Sequence, residues 1–444
     1  MTDSISIDKT ENILAQVFEN QIKGNAEPHN LTELRSNSME QFLSMGIPDS
    51  HNEEYKYSGL KKLFTKIESV NPSKKIKLAD FDIAAYLPFS NAHVLVFVDG
   101  VFSSELSKLI PTENNLVVSP IGLAISAQND HIKNFLGSKK SHPTDACFEL
   151  NTAFFKEGTY IHIGPNTEVN VPVHILHIFT TQEALLFNTR NLILIDKGSK
   201  ADIFESFIGR TNPDKDEKTI SNHVTEVFVQ QGAALNYCCL QDLQQGVAQI
   251  NHINIYQHNG SVVRTHSFML SGDFVRNNLQ VVMADDNCES HLNGLYLPRK
   301  NEHVDNHTLV DHSKPHSYSN ELYKGIMSDN ASAVFNGKIM VRKDAQKTNA
   351  FQSNKNILLG EGASVNTKPQ LEIYADDVKC SHGTSTGRLD DEAIFYLRSR
   401  GIDKENARNL LMCAFAEEVV ETLLNKELKE YFAKRIEARF ESNS

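Results

Sequence analysis

Val171-Pro172-Val173-His174-Ile175-Leu176-His177-Ile178 is a short run of apolar and alternating residues that reads as a β-strand. Working outward, Leu192 to Ile195 and Val224 to Val229 repeat the pattern downstream, and Val94 to Val98 does so upstream. From about Ala92 helical periodicity nearly vanishes. Turn signals punctuate the runs at Gly198, Gly232, Gly260, Gly294, Gly337 and Gly362, at uneven intervals of 25 to 43 residues. Roughly 270 residues of strand and turn exceed a typical single sandwich, so the expected core is the stacked coils of a β-solenoid.

Helical patterns flank this core. Upstream, Ile13, Leu14, Val17 and Phe18 recur at helical spacing, Leu34, Met39, Phe42 and Leu43 resume it, and Gly46 with Pro48 stops it. A shorter amphipathic segment follows from Leu60 to Ile67. Downstream, Asp390-Asp391-Glu392 opens a helix that Gly401 ends, and Asp403 caps the next. Two apolar stripes then step by four, Leu411, Phe415, Val419, Leu423 and Leu424, Leu428, Phe432, Ile436, Phe440, predicting a long amphipathic tail helix broken once. The predicted division is 1–90 helical, 91–388 β core and 389–444 helical.

Composition narrows the functions. The 444 residues carry a formal net charge of -12, which argues against a nucleic-acid partner. No run of about 18 apolar residues predicts a membrane span, and the opening Met1-Thr2-Asp3-Ser4-Ile5-Ser6 lacks the features of a secretion signal, so a cytoplasmic protein is expected. The six cysteines form no C-x-x-C pair. No Walker phosphate loop and no H-E-x-x-H pattern occurs, which removes an intrinsic ATPase and a zinc protease.

Three constellations remain. Asp376-Asp377 points to opposite faces if it lies on a strand, and only convergence with Asp305 and Asp311 would make a glycosidase-like acid group. The histidines at 303, 307, 312 and 316 match no single period; they read as a turn-rich surface strip or as metal ligands, with His303 and His307 the better placed. Cys380-Ser381-His382 sets a thiol and an imidazole on one face of a strand, where both can approach one soft metal or sulfur species, although two ligands do not complete a site. A buried structural Cys beside a surface His is the other reading of that tripeptide.

Longer motifs then occur in order: Val304-Asp305-Asn306-His307-Thr308, Tyr323-Lys324-Gly325-Ile326, Phe335-Asn336-Gly337 and Ala345-Gln346-Lys347-Thr348. Pro369-Gln370-Leu371-Glu372-Ile373-Tyr374-Ala375-Asp376-Asp377-Val378-Lys379-Cys380-Ser381-His382-Gly383 and Phe395-Tyr396-Leu397-Arg398-Ser399-Arg400-Gly401-Ile402 follow. Together they resemble the SufB/SufD family of iron-sulfur cluster assembly proteins, densely from about residue 300 to 415. Upstream, Gly46-Ile47-Pro48 and Glu54-Tyr55-Lys56-Tyr57 resemble the family's N-terminal signature, with Tyr55 where Trp is common. The motif from Tyr396 to Ile402 falls on the SufD side of the family, with SufB as the alternative.

That resemblance implies a mainly β fold, a right-handed parallel β-helix core flanked by helical N- and C-terminal regions. It implies a non-catalytic scaffold of the SUF system that pairs with SufB and binds the SufC ATPase, with a possible homodimer when isolated. His382 is implied at the interface with SufB, in a shared metal site that holds a nascent cluster, and Cys380 beside it. Leu411, Phe415, Val419 and Leu423 are implied in docking SufC. No tightly bound cofactor is expected in the isolated chain, only a transient iron-sulfur cluster in the complex. A β-helix carbohydrate-active enzyme is the alternative from another class.

Overall fold

The computed structural model describes residues 9–24, 27–65, 67, 69–71, 83–111, 115–138, 144–180, 184–209, 219–243 and 246–441. Met1 to Ser6, expected to lack a secretion signal, lie outside them. The chain is mainly β, and its core is a parallel β-solenoid of about 7 turns. One sheet stacks Thr159–Ile163, Leu185–Ile195, Thr219–Val229, Val247–Gln257, Phe274–Met283, His303–His312, Ser332–Val341 and Ser364–Ile373 as parallel neighbours in that order. The facing sheet stacks Val173–Phe179, Lys200–Gly209, Ala234–Asp242, Val262–Ser271, Glu289–Tyr296, Tyr318–Met327, Asn349–Leu358 and Lys379–Gly387. Successive strands alternate between the sheets, so each coil lays one strand on each.

Period-2 alternation builds the lumen. Ile161, Ile163, Val173, Ile175, Ile203, Phe207, Val227, Val229 and Leu235 point inward and form one continuous buried cluster along the axis. Short stretches such as Val94 to Val98 and Leu192 to Ile195 read as continuous apolar runs because their outer faces are covered too. Leu14, Phe18, Phe42, Tyr55 and Phe64 of the N-terminal region pack on Leu186, Ile220, Ala248 and Ile250 of the first sheet. Met412, Val419, Leu423, Leu428, Phe432 and Ile436 of the tail pack on Phe204, Cys238, Phe268 and Leu295 of the second.

The glycine spacing has a structural explanation. One corner of every coil needs a residue at positive φ, and Asn166, Gly198, Gly232, Gly260, Asn287, His316 and Lys347 supply it at φ of 55–70°. Their amides donate to Lys197, Gln231, Asn259, Asp286, Pro315, Gln346 and Asp377 carbonyls of the next coil, at 2.7–3.2 Å. Gly294 and Gly337 instead lie within strands Glu289–Tyr296 and Ser332–Val341. The repeat is therefore regular in backbone conformation and irregular in residue type.

The helices match the sequence pattern at both ends. Lys9–Gly24 and His29–Met45 are helical, and the segment from Leu60 shortens to Lys61–Phe64. Asp390 caps Asp391–Ser399 and Asp403 caps Lys404–Val420, each accepting from backbone amides, and Lys426–Glu441 follows the break. The expectation that helices nearly vanish after Ala92 is corrected by Ile121–Ser126, Asp130–Phe135 and Ala146–Phe154. Ala146–Phe154 is buried at every residue, so it has no polar face to print a helical period. Arg190, wholly buried, ties this helix to the first sheet by donating to Thr152 Oγ1 at 3.0 Å and pairing with Glu226 at 2.8 Å.

The two solenoid ends differ. At the N-terminal end His93–Val98 pairs with antiparallel Val101–Lys108, and antiparallel Leu116–Pro120 closes the other sheet. At the opposite end Ser364–Ile373 and Lys379–Gly387 are the last strands of their sheets.

Candidate functional site

Lys379–Gly387 is the strand that carries Cys380 and His382. Its Lys379 amide donates to Thr348 at 2.9 Å, and it pairs with Asn349–Leu358, leaving its other edge without a strand among the described residues. Cys380 lies opposite Ala350 and His382 opposite Gln352, so the i, i+2 spacing does put both side chains on one face. Ala350 packs inward, hence both point toward the lumen side at its open end.

Their surroundings differ. Cys380 is half-buried against Ile339, Val341, Ala345 and Ala350, and burial raises its thiol pKa, so the free chain holds a thiol rather than a thiolate. His382 is exposed. Thr384 Oγ1 donates to Thr367 Oγ1 at 3.3 Å, joining the last strands of the two sheets across the opening. Beneath His382 the column continues with Gln352, whose Nε2 donates to buried Glu321 Oε2 at 2.6 Å. Chemically the edge offers one sulfur and one imidazole. Among the described residues no third His, Cys, Asp or Glu joins them, so the two alone fall short of a four-ligand centre.

The other sequence candidates are engaged elsewhere. His303 sits between Ser58 Oγ and Ser332 Oγ at 2.7 Å each. His307 bridges Asp305 at 2.9 Å and Glu54 at 3.2 Å. His312 is fully buried, its pKa pushed down to about 4 by burial, and contacts Ser319 Oγ at 2.9 Å. His316 occupies the left-handed corner described above. The four form no common metal site, because they split between the outer face, the lumen and a turn. The acids do not converge either: Asp305 pairs with Arg276, Asp311 with Arg342 and Asp377 with Lys347.

The tail helices cover the second sheet. Val419 and Leu423 are buried against the chain's own solenoid, while Leu411 and Phe415 are half-buried at the flank. Lys324 Nζ lies 3.8 Å above the Phe415 ring and donates to Glu418 at 2.6 Å, clipping the helix to Tyr318–Met327. Leu410 and Leu424, 51% and 65% exposed, face outward instead.

Residues 177–415 match the model of the SUF system FeS cluster assembly SufBD core domain, and residues 9–175 match the SufBD protein N-terminal region. The chain belongs to the SufBD family. The SufBD-family chain is 32% identical over 404 residues to the iron-sulfur cluster assembly protein SufD of Escherichia coli, covering 90% of this chain and 91% of that one. It is 28% identical over 432 residues to an iron-sulfur cluster assembly SufBD family protein of Synechocystis, covering 95% and 94%. SufD of Bacillus subtilis is 29% identical over 293 residues, covering 65% and 66%. This is an iron-sulfur cluster assembly protein of the SufBD family, and among the described residues no helix is long and apolar enough to cross a membrane.

One polar feature of the SufBD-family chain escaped the sequence reading. Glu205, His177 and His223 are buried together inside the lumen. The available signal was a polar residue at an inward position of an otherwise apolar strand.

Proposed function

We propose that this chain is the SufD-type scaffold subunit of a cluster-assembly complex, non-catalytic by itself. Its open solenoid edge pairs with the matching edge of a SufB-type chain. The observation that supports this most is the strand Lys379–Gly387, whose outer edge has no partner strand among the described residues and which carries Cys380 and His382 on one face. Unmet backbone donors and acceptors on such an edge favour strand addition, and the incomplete ligand pair favours a cluster shared across the junction. The same edge gives the isolated chain a route to a homodimer.

A SufC-type ATPase docks on the tail helices in this reading. Val419 and Leu423 hold the helix to its own solenoid, so the direct contacts fall to outward residues such as Leu410, with Leu411 and Phe415 beside them. Native mass spectrometry of anaerobically purified protein from its own cells tests both parts. Wild type is expected to carry both partners with iron and sulfide, His382→Ala the partners without the cluster, and Leu410→Asp a complex lacking the ATPase. A lone wild-type chain, or iron and sulfide undiminished in His382→Ala, would refute the proposal.

A further inference from the structure

Three neighbouring strands near the closed end of the solenoid interrupt their inward apolar residues with groups of another kind. Val173–Phe179 turns Ile175, His177 and Phe179 inward, Lys200–Gly209 turns Ile203, Glu205 and Phe207 inward, and Thr219–Val229 turns His223, Thr225 and Val227 inward. His177, Glu205 and His223 are 2%, 0% and 0% exposed. One carboxylate oxygen, Oε1 of Glu205, lies 2.8 Å from His177 Nε2, 3.1 Å from His223 Nε2 and 2.8 Å from Asn191 Nδ2. The other oxygen accepts from the Tyr237 hydroxyl.

Each imidazole is held in orientation. His177 lies between the rings of Phe97 and Phe207, with centroids 5.1 and 4.5 Å away and planes within 18°. His223 contacts Thr189 Oγ1 through Nδ1 at 2.6 Å, which directs Nε2 at the carboxylate. A carboxylate buried this deeply needs a compensating positive charge, and its ion-pair partners among the described residues are the two imidazoles. A proton on one imidazole meets that need; so does a metal ion.

We propose that His177 Nε2, His223 Nε2 and a Glu205 oxygen bind a single first-row divalent cation, ferrous iron or zinc. All three ligand atoms lie within 4.8 Å of one another. Metal bonds of about 2.0–2.2 Å at tetrahedral angles put ligand atoms about 3.4 Å apart, so insertion widens the 2.8 and 3.1 Å contacts by about 0.6 and 0.3 Å. Two imidazoles and a carboxylate suit iron(II) and zinc better than calcium or magnesium. Loading expels the proton shared by the imidazoles and the carboxylate, while Tyr237, Asn191 and Thr189 orient the ligands from behind. The ion ties two adjacent strands of the second sheet, Val173–Phe179 and Lys200–Gly209, to Thr219–Val229 of the first.

This site is separate from the open edge. Glu205 reaches Thr384 through six strand steps, Cys239, Ser267, Gly294, Tyr323, Asn354 and Thr384, which is roughly 29 Å at the usual strand spacing. His382→Ala therefore serves as a control whose result bears on the edge alone.

The test is elemental analysis of the full chain, untagged, expressed in defined media supplemented with cobalt, zinc or anaerobic ferrous iron so that metal is present during folding. Wild type and His382→Ala should each retain about one ion per chain after dialysis against chelator. His177→Gln and Glu205→Gln, which keep hydrogen-bonding groups, should retain less than about a tenth of that. The metal retained by chain from its own cells, purified anaerobically, distinguishes iron from zinc. Folded wild type without metal from all three media overturns the proposal, as does metal retained by both variants. Should the variants fail to fold, the wild-type cobalt spectrum decides: nitrogen and oxygen ligation supports the site, and a thiolate-to-cobalt charge-transfer band moves the ion to a cysteine and overturns it.

Discussion

Glu321→Gln should change the pH dependence of stability, because Glu321 is a lumenal carboxyl supported by the neutral side chains of Gln352 and Thr308. Burial raises its pKa from an ordinary 4.5 to about 7. Its folded pKa lies above the unfolded one, so its contribution to stability is fully present below about pH 4.5 and is lost as pH rises to about 7. At 1.36 kcal/mol per pKa unit the full loss is about 3.4 kcal/mol, of which about 2.5 kcal/mol falls between pH 5 and 8. The amide that replaces the carboxyl stays neutral throughout. Urea unfolding followed by circular dichroism at pH 5, 6, 7 and 8, which suits a chain without tryptophan, should show the variant gaining about 2.5 kcal/mol on wild type across that range. Parallel curves for the two proteins would refute the reasoning.

Three further outcomes test the packing, the corner ladder and the coil stacking. Phe432 stacks on Phe268 with centroids 3.7 Å apart and is wholly buried, so Phe432→Ala should destabilise the tail by about 3–5 kcal/mol, read as lost hydrogen-exchange protection across Lys426–Glu441. Gly232→Asn should cost less than about 1 kcal/mol in urea unfolding, since Asn166 and Asn287 hold the equivalent corners and a Cβ there meets nothing within 4 Å. Gly209→Ala, whose Cβ would lie 1.5 Å from the Leu243 carbonyl oxygen, should abolish soluble expression. The reverse order of those two glycine effects would show that the coils do not stack in this register.

Features set by neighbours in the chain were legible. Asp390 and Asp403 announce their helices because a cap needs only its own side chain and the next two or three amides. That Cys380 and His382 share a face follows from strand alternation, and the tail stripe from helical period. The glycine spacing was uneven because a left-handed corner is a backbone conformation, which Asn287, His316 and Lys347 adopt as Gly260 does. Ala146–Phe154 stayed hidden because burial on every side erases the period that marks a helix.

The amino-acid sequence by itself determined the strand-rich core, the helical flanks, the edge motif at Cys380 and His382, and the family they resemble, since each is written in short-range pattern. Only the tertiary structure decided that Val419 and Leu423 face the solenoid, that the histidines from 303 to 316 part company, and that Glu205 meets His177 and His223 in the lumen. Those outcomes depend on which residues lie one coil apart. That register is set by the packing of whole sheets and leaves no local mark on the residues it brings together.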